Sequence, residues 1–211
     1  MKLSVMSNAA WMMSEKIVSV FGVIFVTSYV AKSFGPTVFG QMAFSTSLFS
    51  MVQTVAIFGT ETILFKRISK SAPKGLRLMN VARTLRMILL LVTAAPVLAW
   101  VWFTMPQNFL AFTLASFVAS VFVTQDTFSV YNNARLASRL NTVANSLGML
   151  LSFTISFVIA WLRLNPAWLT LSIVAVTLVP YVIKRYNFYR ETQDIAPPQE
   201  KRSAYLRYLM Y

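Results

Sequence analysis

The sequence predicts an all-α, polytopic membrane protein, and two observations carry that prediction. The chain of 211 residues is 57% hydrophobic and only 12% charged, whereas soluble domains average about half apolar and about a quarter charged residues. Its apolar residues also form runs long enough to cross roughly 30 Å of hydrocarbon at about 20 residues per helix. We therefore expect a lipid bilayer to cover most of the apolar surface.

Six apolar runs are predicted to cross the bilayer as helices, because they are too long and too uniformly apolar for the alternating strands of a barrel. They span approximately residues 10–31, 39–64, 86–105, 109–131, 143–162 and 167–184. The resulting six-helix transmembrane bundle occupies residues 1–189, and a cytoplasmic linker follows over residues 190–203. The first run carries Glu15 and Lys16 and is too long for a signal-peptide core, so we expect it to be retained.

The connections between the runs have recognisable turn chemistry. In the first connection, "SYVAKSFGPTVFGQMAF" at 28–44, Gly35 and Pro36 are expected to end one helix and Gly40 to let the next start close beside it. Phe39 is expected at the interface. Short links at 104–109 and 163–168 predict antiparallel hairpins, and the basic segment 66–86 predicts a connector at the membrane surface.

The basic residues predict the orientation. With the N-terminus in the cytoplasm, sixteen of the 19 lysines and arginines lie on cytoplasmic segments, Lys16 lies in the first helix, and only Lys32 and Arg163 lie outside. This bias is the one that membrane proteins show. It predicts that both termini are cytoplasmic, and it accounts for the net charge of +13 without nucleic acid as a partner.

The composition also disfavours most catalytic chemistry. The chain has no histidine and no cysteine, so it lacks the commonest general base, the thiol nucleophile and the usual soft metal ligands. We expect no metal, no cofactor and no enzymatic activity.

Polar residues inside the apolar runs are the candidate functional residues, because such residues are rare in membranes and are usually kept for a purpose. The candidates for substrate contact or cavity lining are Asn8, Glu15, Lys16, Gln53, Glu61, Asp126, Arg135 and Asn145. Two interpretations remain open for the three acids among them. They line a cytoplasm-facing cavity, or they only pair with Lys16, Lys66 or Arg135 and hold helices together.

Residues 8–70 carry a family resemblance. Asn8 and Trp11 precede the charged pair Glu15 and Lys16, the hairpin follows, and "FGTE" ends at Glu61. The hairpin residues of the pattern are Lys32, Gly35, Pro36, Phe39 and Gly40. This stretch resembles the opening of the bacterial polysaccharide repeat-unit flippases, the O-antigen and capsule transporters of the multidrug, oligosaccharidyl-lipid and polysaccharide exporter superfamily. Beyond residue 70 only the expected topology is similar.

The resemblance implies a transporter, a flippase, built from two six-helix lobes of the MATE-like kind. This chain would be the N-terminal lobe, with residues 204–211 as the truncated start of a seventh helix and the second half missing. The implied activity is translocation of undecaprenyl-diphosphate-linked oligosaccharides across the bacterial inner membrane for O-antigen or other surface polysaccharide. Lys16, Arg86 and Arg135 would contact the head group, and H⁺ or Na⁺ would be the coupling ion.

The implied partners are membrane lipid, the lipid-linked oligosaccharide and other membrane proteins of polysaccharide assembly. A half-length chain would arise from a truncated frame, an engineered fragment or a half-size protein that pairs with itself. Two other functions stay open: an ion-coupled small-molecule (multidrug) exporter of the same superfamily, and an inactive membrane remnant or scaffold.

Overall fold

The structure, a computed structural model, describes residues 2–192. Within that range the side chains of residues 2–9, 12, 18, 72, 107 and 108 are not described, so the side chain of Asn8 lies outside the described residues. Of the predicted linker 190–203, residues 190–192 belong instead to the last helix, and the rest of it, like the predicted segment 204–211, lies outside the described residues. Every regular element of residues 2–192 is helical. The α-helices are α1 (Lys2–Gly22), α2 (Ser28–Ile57), α3 (Thr60–Lys70), α4 (Ala72–Thr104), α5 (Gln107–Gln125), α6 (Phe128–Ala134), α7 (Ser138–Trp161) and α8 (Leu169–Thr192), with a π-helical turn at Val23–Thr27 and a 3₁₀ turn at Pro166–Trp168.

The chain reverses direction at Gly35, inside α2. Gly35 has φ 79° and ψ 169°, a conformation that glycine reaches at no steric cost and that other residues avoid. Residues 23–30 and 42–53 line the same cavity, although residues 23 and 53 of one straight helix would be about 45 Å apart. The stretch before Gly35 and the stretch after it are therefore two antiparallel helices, called here the first and second crossings.

The second crossing ends earlier than its apolar run. Phe58 (φ 41°) and Gly59 (φ 66°) both adopt left-handed conformations, which end a helix. The predicted helix over 39–64 is thus divided, and α3 begins at Thr60. The predicted basic connector is also helical, since α4 begins at Ala72 with Pro73 in its first turn, where proline costs no hydrogen bond.

Long-range packing explains why these basic segments are helices. Leu64 and Ile68 of α3 are buried against Leu78 and Ala82 of α4 and against Tyr131 of α6. Gly75 lets α3 and α4 approach closely, because a Cβ there would lie 2.6 Å from Cγ1 of Ile68. The apolar faces of α3 and α4 therefore join one core, and their basic residues occupy the remaining faces.

Two further clusters hold the crossings together. One joins Val30 of the first crossing to Phe112 of α5, Ile159 of α7 and Ile173 of α8. The other joins Phe49 and Val52 of the second crossing to Leu90 and Ala94 of α4. Facing hydroxyls add to the second crossing–α5 contact, with the Oγ of Ser45 3.2 Å from the Oγ1 of Thr113.

The helices have the length and surface of membrane spans. Five stretches of the described chain are long and apolar enough to cross a bilayer: Met13–Ile57, Pro73–Thr104, Phe109–Ala134, Ser138–Trp161 and Pro166–Thr192. The first has 45 residues and reverses at Gly35, so it supplies two crossings. Large apolar side chains such as Phe25, Val92 and Phe103 are mostly exposed. Such a surface is compatible with a multi-pass membrane protein.

Candidate functional site

A polar stripe runs along the outside of the second crossing. Ser47, Ser50 and Thr54 are exposed, and Glu61 continues the stripe as an exposed side chain in the first turn of α3. The opposite face of the same crossing, with Phe49, Val52 and Ala56, is buried in the bundle. We call Ser47, Ser50, Thr54 and Glu61 the outer stripe. It faces away from the bundle that these helices form.

Two of the three hydroxyls of the outer stripe already donate hydrogen bonds. Ser50 Oγ donates to the carbonyl of Ser47 at 2.7 Å, and Thr54 Oγ1 donates to the carbonyl of Ser50 at 2.9 Å. Their oxygens remain able to accept hydrogen bonds, and Glu61 adds a charge. A carboxylate that faces hydrocarbon is costly, so this face suits an aqueous or polar surrounding better than lipid.

Arg86 of α4 lies beside the end of the stripe and is fully buried. Its Nε donates to Thr60 Oγ1 at 2.6 Å, and its Nη1 donates to the carbonyl of Thr124 at 3.4 Å. Its Nη2 has no hydrogen-bond partner among the described residues. Glu61 and Asp126 are close enough to attract its charge. A buried guanidinium with an unused N–H can donate a hydrogen bond to an anionic group.

A buried ion pair joins Asp126 to Lys184 of α8. Lys184 Nζ lies 2.7 Å from Asp126 Oδ2, and Asp126 also accepts from the backbone N–H of Ser129 at 3.1 Å and from its hydroxyl at 2.6 Å. The helix stops at Gln125 and resumes at Phe128, so Asp126 occupies the break between α5 and α6. Its partner is Lys184, which differs from the three cations considered from the sequence.

Two more arginines lie at the same end of the bundle. Arg83 donates to Gln125 Oε1 at 3.1 Å and to the hydroxyl of Tyr181 at 3.2 Å. Arg135 is half exposed; it donates to the hydroxyl of Tyr131 at 3.1 Å, and its Nε lies 3.8 Å from a carboxylate oxygen of Glu191. We call this region the basic end of the bundle, after its cations Arg83, Arg86, Arg135 and Lys184.

Glu15 and Asn145 meet between α1 and α7. Asn145 Nδ2 donates to Glu15 Oε1 at 2.8 Å, and one turn away Thr142 Oγ1 donates to the carbonyl of Trp11 at 3.1 Å. Lys16 is exposed. The three predicted acids therefore have three different surroundings: Glu15 faces α7, Asp126 faces α8 and Glu61 is exposed.

An asparagine network fixes α6 to α7. Asn141 Nδ2 donates to the carbonyl of Ser129 and to Asn133 Oδ1, each at 2.9 Å, and Asn141 Oδ1 accepts from Asn132 at 2.8 Å. Asn133, Asn141 and Lys184 are not among the candidate residues that the sequence predicts. The position of Lys184 four residues after Pro180, still inside the apolar run, is the signal that could have identified it.

A cavity of about 420 Å³ lies inside the bundle. Its walls come from the first and second crossings, α5, α7 and α8, and of the predicted site residues it contains Gln53, whose Nε2 donates to Ser120 Oγ at 2.8 Å. Glu15, Glu61 and Asp126 are not among its lining residues.

The hairpin residues Lys32, Pro36 and Gly40 are exposed, and Gly35 and Phe39 are half-buried.

Comparisons with protein-family models, with curated proteins and with solved structures found no match to this chain.

Proposed function

We propose that this bundle forms one wall of a membrane transporter that carries undecaprenyl-diphosphate-linked oligosaccharides across the bacterial inner membrane. The observation that carries the proposal is the outer stripe. Ser50 and Thr54 are exposed on the outside of a helix that has the length and composition of a membrane span, and Glu61 is exposed just beyond its end, in the first turn of α3. A polar surface of this kind is expected beside a water-filled pathway rather than beside lipid.

The chemistry of the stripe suits a glycan. The hydroxyls of Ser50 and Thr54 donate hydrogen bonds to backbone carbonyls, so their oxygens are available as acceptors for the many hydroxyl donors of a sugar. Arg86, buried next to the last residue of the stripe, has an unused guanidinium N–H that a substrate would reach only if Thr60 and Glu61 moved aside. Guanidinium groups bind phosphate through charge-assisted hydrogen bonds, and the diphosphate of the carrier lipid provides such oxygens.

The resemblance over residues 8–70 supports the same assignment. In the orientation that the basic residues predict, the Glu61 end of the outer stripe and Arg86 both lie on the cytoplasmic side of the membrane. Lipid-linked oligosaccharides are made on that side. One bundle borders only one side of a pathway, so we expect transport to require a second bundle in the MATE-like arrangement.

Substitutions on the stripe test the proposal. In cells whose surface polysaccharide depends on this chain, we expect Glu61→Gln together with Ser50→Leu to lower translocation of the lipid-linked oligosaccharide at least about tenfold, equivalent to about 1.4 kcal/mol. Val92→Leu, on a lipid-facing surface of α4, is the control and should have no effect.

Protein levels in the membrane must be equal for the comparison to count. Unchanged translocation in the Glu61→Gln, Ser50→Leu double variant at normal levels would overturn the assignment.

A further inference from the structure

The cavity inside the bundle is a second site, separate from the outer stripe. It has a volume of about 420 Å³, within the roughly 300–1,000 Å³ typical of ligand sites. Part of its wall is the π-helical turn Val23–Thr27 in the first crossing. Such turns insert one extra residue into a helix and occur frequently at functional sites.

The cavity lining carries no charge. Its polar members are hydroxyl and amide residues, and six of the eight donate their hydrogen bonds to other protein atoms: Thr46 to Met42 and Ala43, Gln53 to Ser120, Ser116 to Phe112, Ser152 to Ser172, Ser172 to Leu169 and Thr177 to Val174. The remaining walls are apolar side chains such as Val26, Ile173 and Val176. The oxygens of these groups can still accept hydrogen bonds, but few donors are left to point into the cavity.

Water is a poor occupant of such a space. At about 30 Å³ per molecule, a volume of 420 Å³ would hold roughly 14 waters. Each buried water typically needs about three hydrogen bonds to polar groups. Thr27 and Ser156 are the two lining hydroxyls without a hydrogen bond to the protein among the described residues, too few donors to order so many waters.

The cavity adjoins an exposed apolar surface of the first crossing. Val23, at its edge, is 49% exposed, and the neighbouring Ile24 and Phe25 are more exposed still. On the other side of the turn, Gly22 packs against the ring of Phe153, and a Cβ at residue 22 would overlap that ring. The rim is thus apolar on the side where the first crossing meets lipid.

We propose that this cavity binds the hydrocarbon chain of a membrane phospholipid, which enters from the bilayer beside the π-helical turn. The uncharged walls, the engaged hydroxyls and the apolar rim all fit a chain of methylene groups. A chain that enters from the bilayer leaves an equally apolar medium, so its binding gains van der Waals contacts with the cavity wall rather than hydrophobic transfer free energy. This lipid site does not depend on the outer stripe or on the proposed transport activity.

The test is photochemical. The full chain is reconstituted in bilayers with a phospholipid that carries a diazirine in one acyl chain, and the adducts are mapped by peptide mass spectrometry. We expect adducts on Ser116 and Ile173, which are at least nine-tenths buried and border the cavity, because an acyl chain reaches them only from inside. Exposed Val92 of α4 provides the reference adduct for ordinary lipid contact.

A matched pair of substitutions in α8 separates occupancy from surface contact. Val176→Phe adds a ring inside the cavity and should abolish most adducts on Ser116 and Ile173, whereas Val182→Phe, exposed on the same helix, should leave them unchanged. The Val92 adduct should persist in both variants. Adducts confined to exposed residues in the unsubstituted protein would overturn the proposal.

A second measurement tests the proposal even if Val176→Phe does not fold. The chain has no cysteine, so Ser116→Cys supplies a single thiol at the cavity wall. We expect it to resist a charged, water-soluble thiol reagent, while Lys74→Cys, exposed at the start of α4, reacts. Rapid reaction at residue 116 would show a water-filled cavity and would contradict a hydrocarbon occupant.

Discussion

The Asp126–Lys184 pair gives the sharpest stability prediction, because both groups are buried and their remaining contacts differ. The side chains are 17% and 4% exposed, respectively. Replacing Lys184 by Met leaves a carboxylate that still accepts two hydrogen bonds from Ser129. Replacing Asp126 by Asn leaves an ammonium that retains only neutral acceptors, among them Ser129 Oγ at 2.8 Å.

Breaking a buried ion pair by removing one partner costs about 3–5 kcal/mol. We expect Lys184→Met to lower the free energy of unfolding by about 3 kcal/mol. Asp126→Asn should lower it more, because a protonated amine without an anionic partner is the less satisfied group. The double variant contains no buried charge. It should be more stable than the sum of the single effects indicates, by about 2–3 kcal/mol.

The assay is reversible unfolding of the purified chain in mixed micelles at increasing denaturing-detergent content, followed by tryptophan fluorescence. The four proteins of the cycle are measured together. Single effects that simply add in the double variant would refute the reasoning, since additivity means that the two charges do not stabilise each other.

Three further predictions use the same assay. Gly148→Ala should lower the free energy of unfolding by about 1–3 kcal/mol, because its Cβ would lie 2.6 Å from Cδ of Pro180. Gly40→Ala is the control and should cost nothing, because a Cβ there meets no atom within 4 Å. Equal effects would contradict the close approach of α7 and α8. Arg86→Met should be neutral or stabilising despite the full burial of the arginine, as for other buried ions replaced by apolar groups, and a loss above about 3 kcal/mol would mean that Nη2 has a partner. Asn141→Leu should cost about 1–3 kcal/mol, because buried amide and carbonyl partners lose their hydrogen bonds; an unchanged midpoint would exclude the α6–α7 network.

Much of the helical architecture could be predicted from the sequence, because the length of an apolar run is a local property. The runs starting near residues 109, 143 and 167 correspond to α5, α7 and α8. The reversal at Gly35 follows from the same local chemistry, since glycine before proline adopts conformations that end a helix.

Helix ends at the basic end of the bundle could not be predicted in this way. The basic residues of 66–86 are typical of a surface connector, yet α3 and α4 are helical there because apolar residues at helical spacing pack against α6 and α8. Similarly, α8 continues to Thr192, past its apolar run, because Phe188 packs against Tyr131 and Phe128. These contacts are tertiary, and no local pattern reveals them.

The pairing of the candidate site residues was the least predictable feature. Sequence spacing placed Asp126 near several cations, and the partner that it meets, Lys184, is 58 residues away. The contact between Glu15 and Asn145 crosses 130 residues. The outer stripe was only partly predictable: Ser50 and Thr54, four residues apart, share one helical face, and the structure adds that this face is exposed and that Glu61 follows it on a separate helix, α3.

The most direct test of the central proposal is a cross-link between the outer stripe and the glycan of its substrate. A benzophenone on Ser50→Cys is irradiated with undecaprenyl-diphosphate-linked oligosaccharide labelled in its sugars, and mild acid then cleaves the diphosphate linkage, so only direct sugar adducts keep the label. We expect labelled protein for residue 50 and none for Val92→Cys on the exposed apolar surface of α4. Equal labelling at both residues, or none at residue 50, would contradict it.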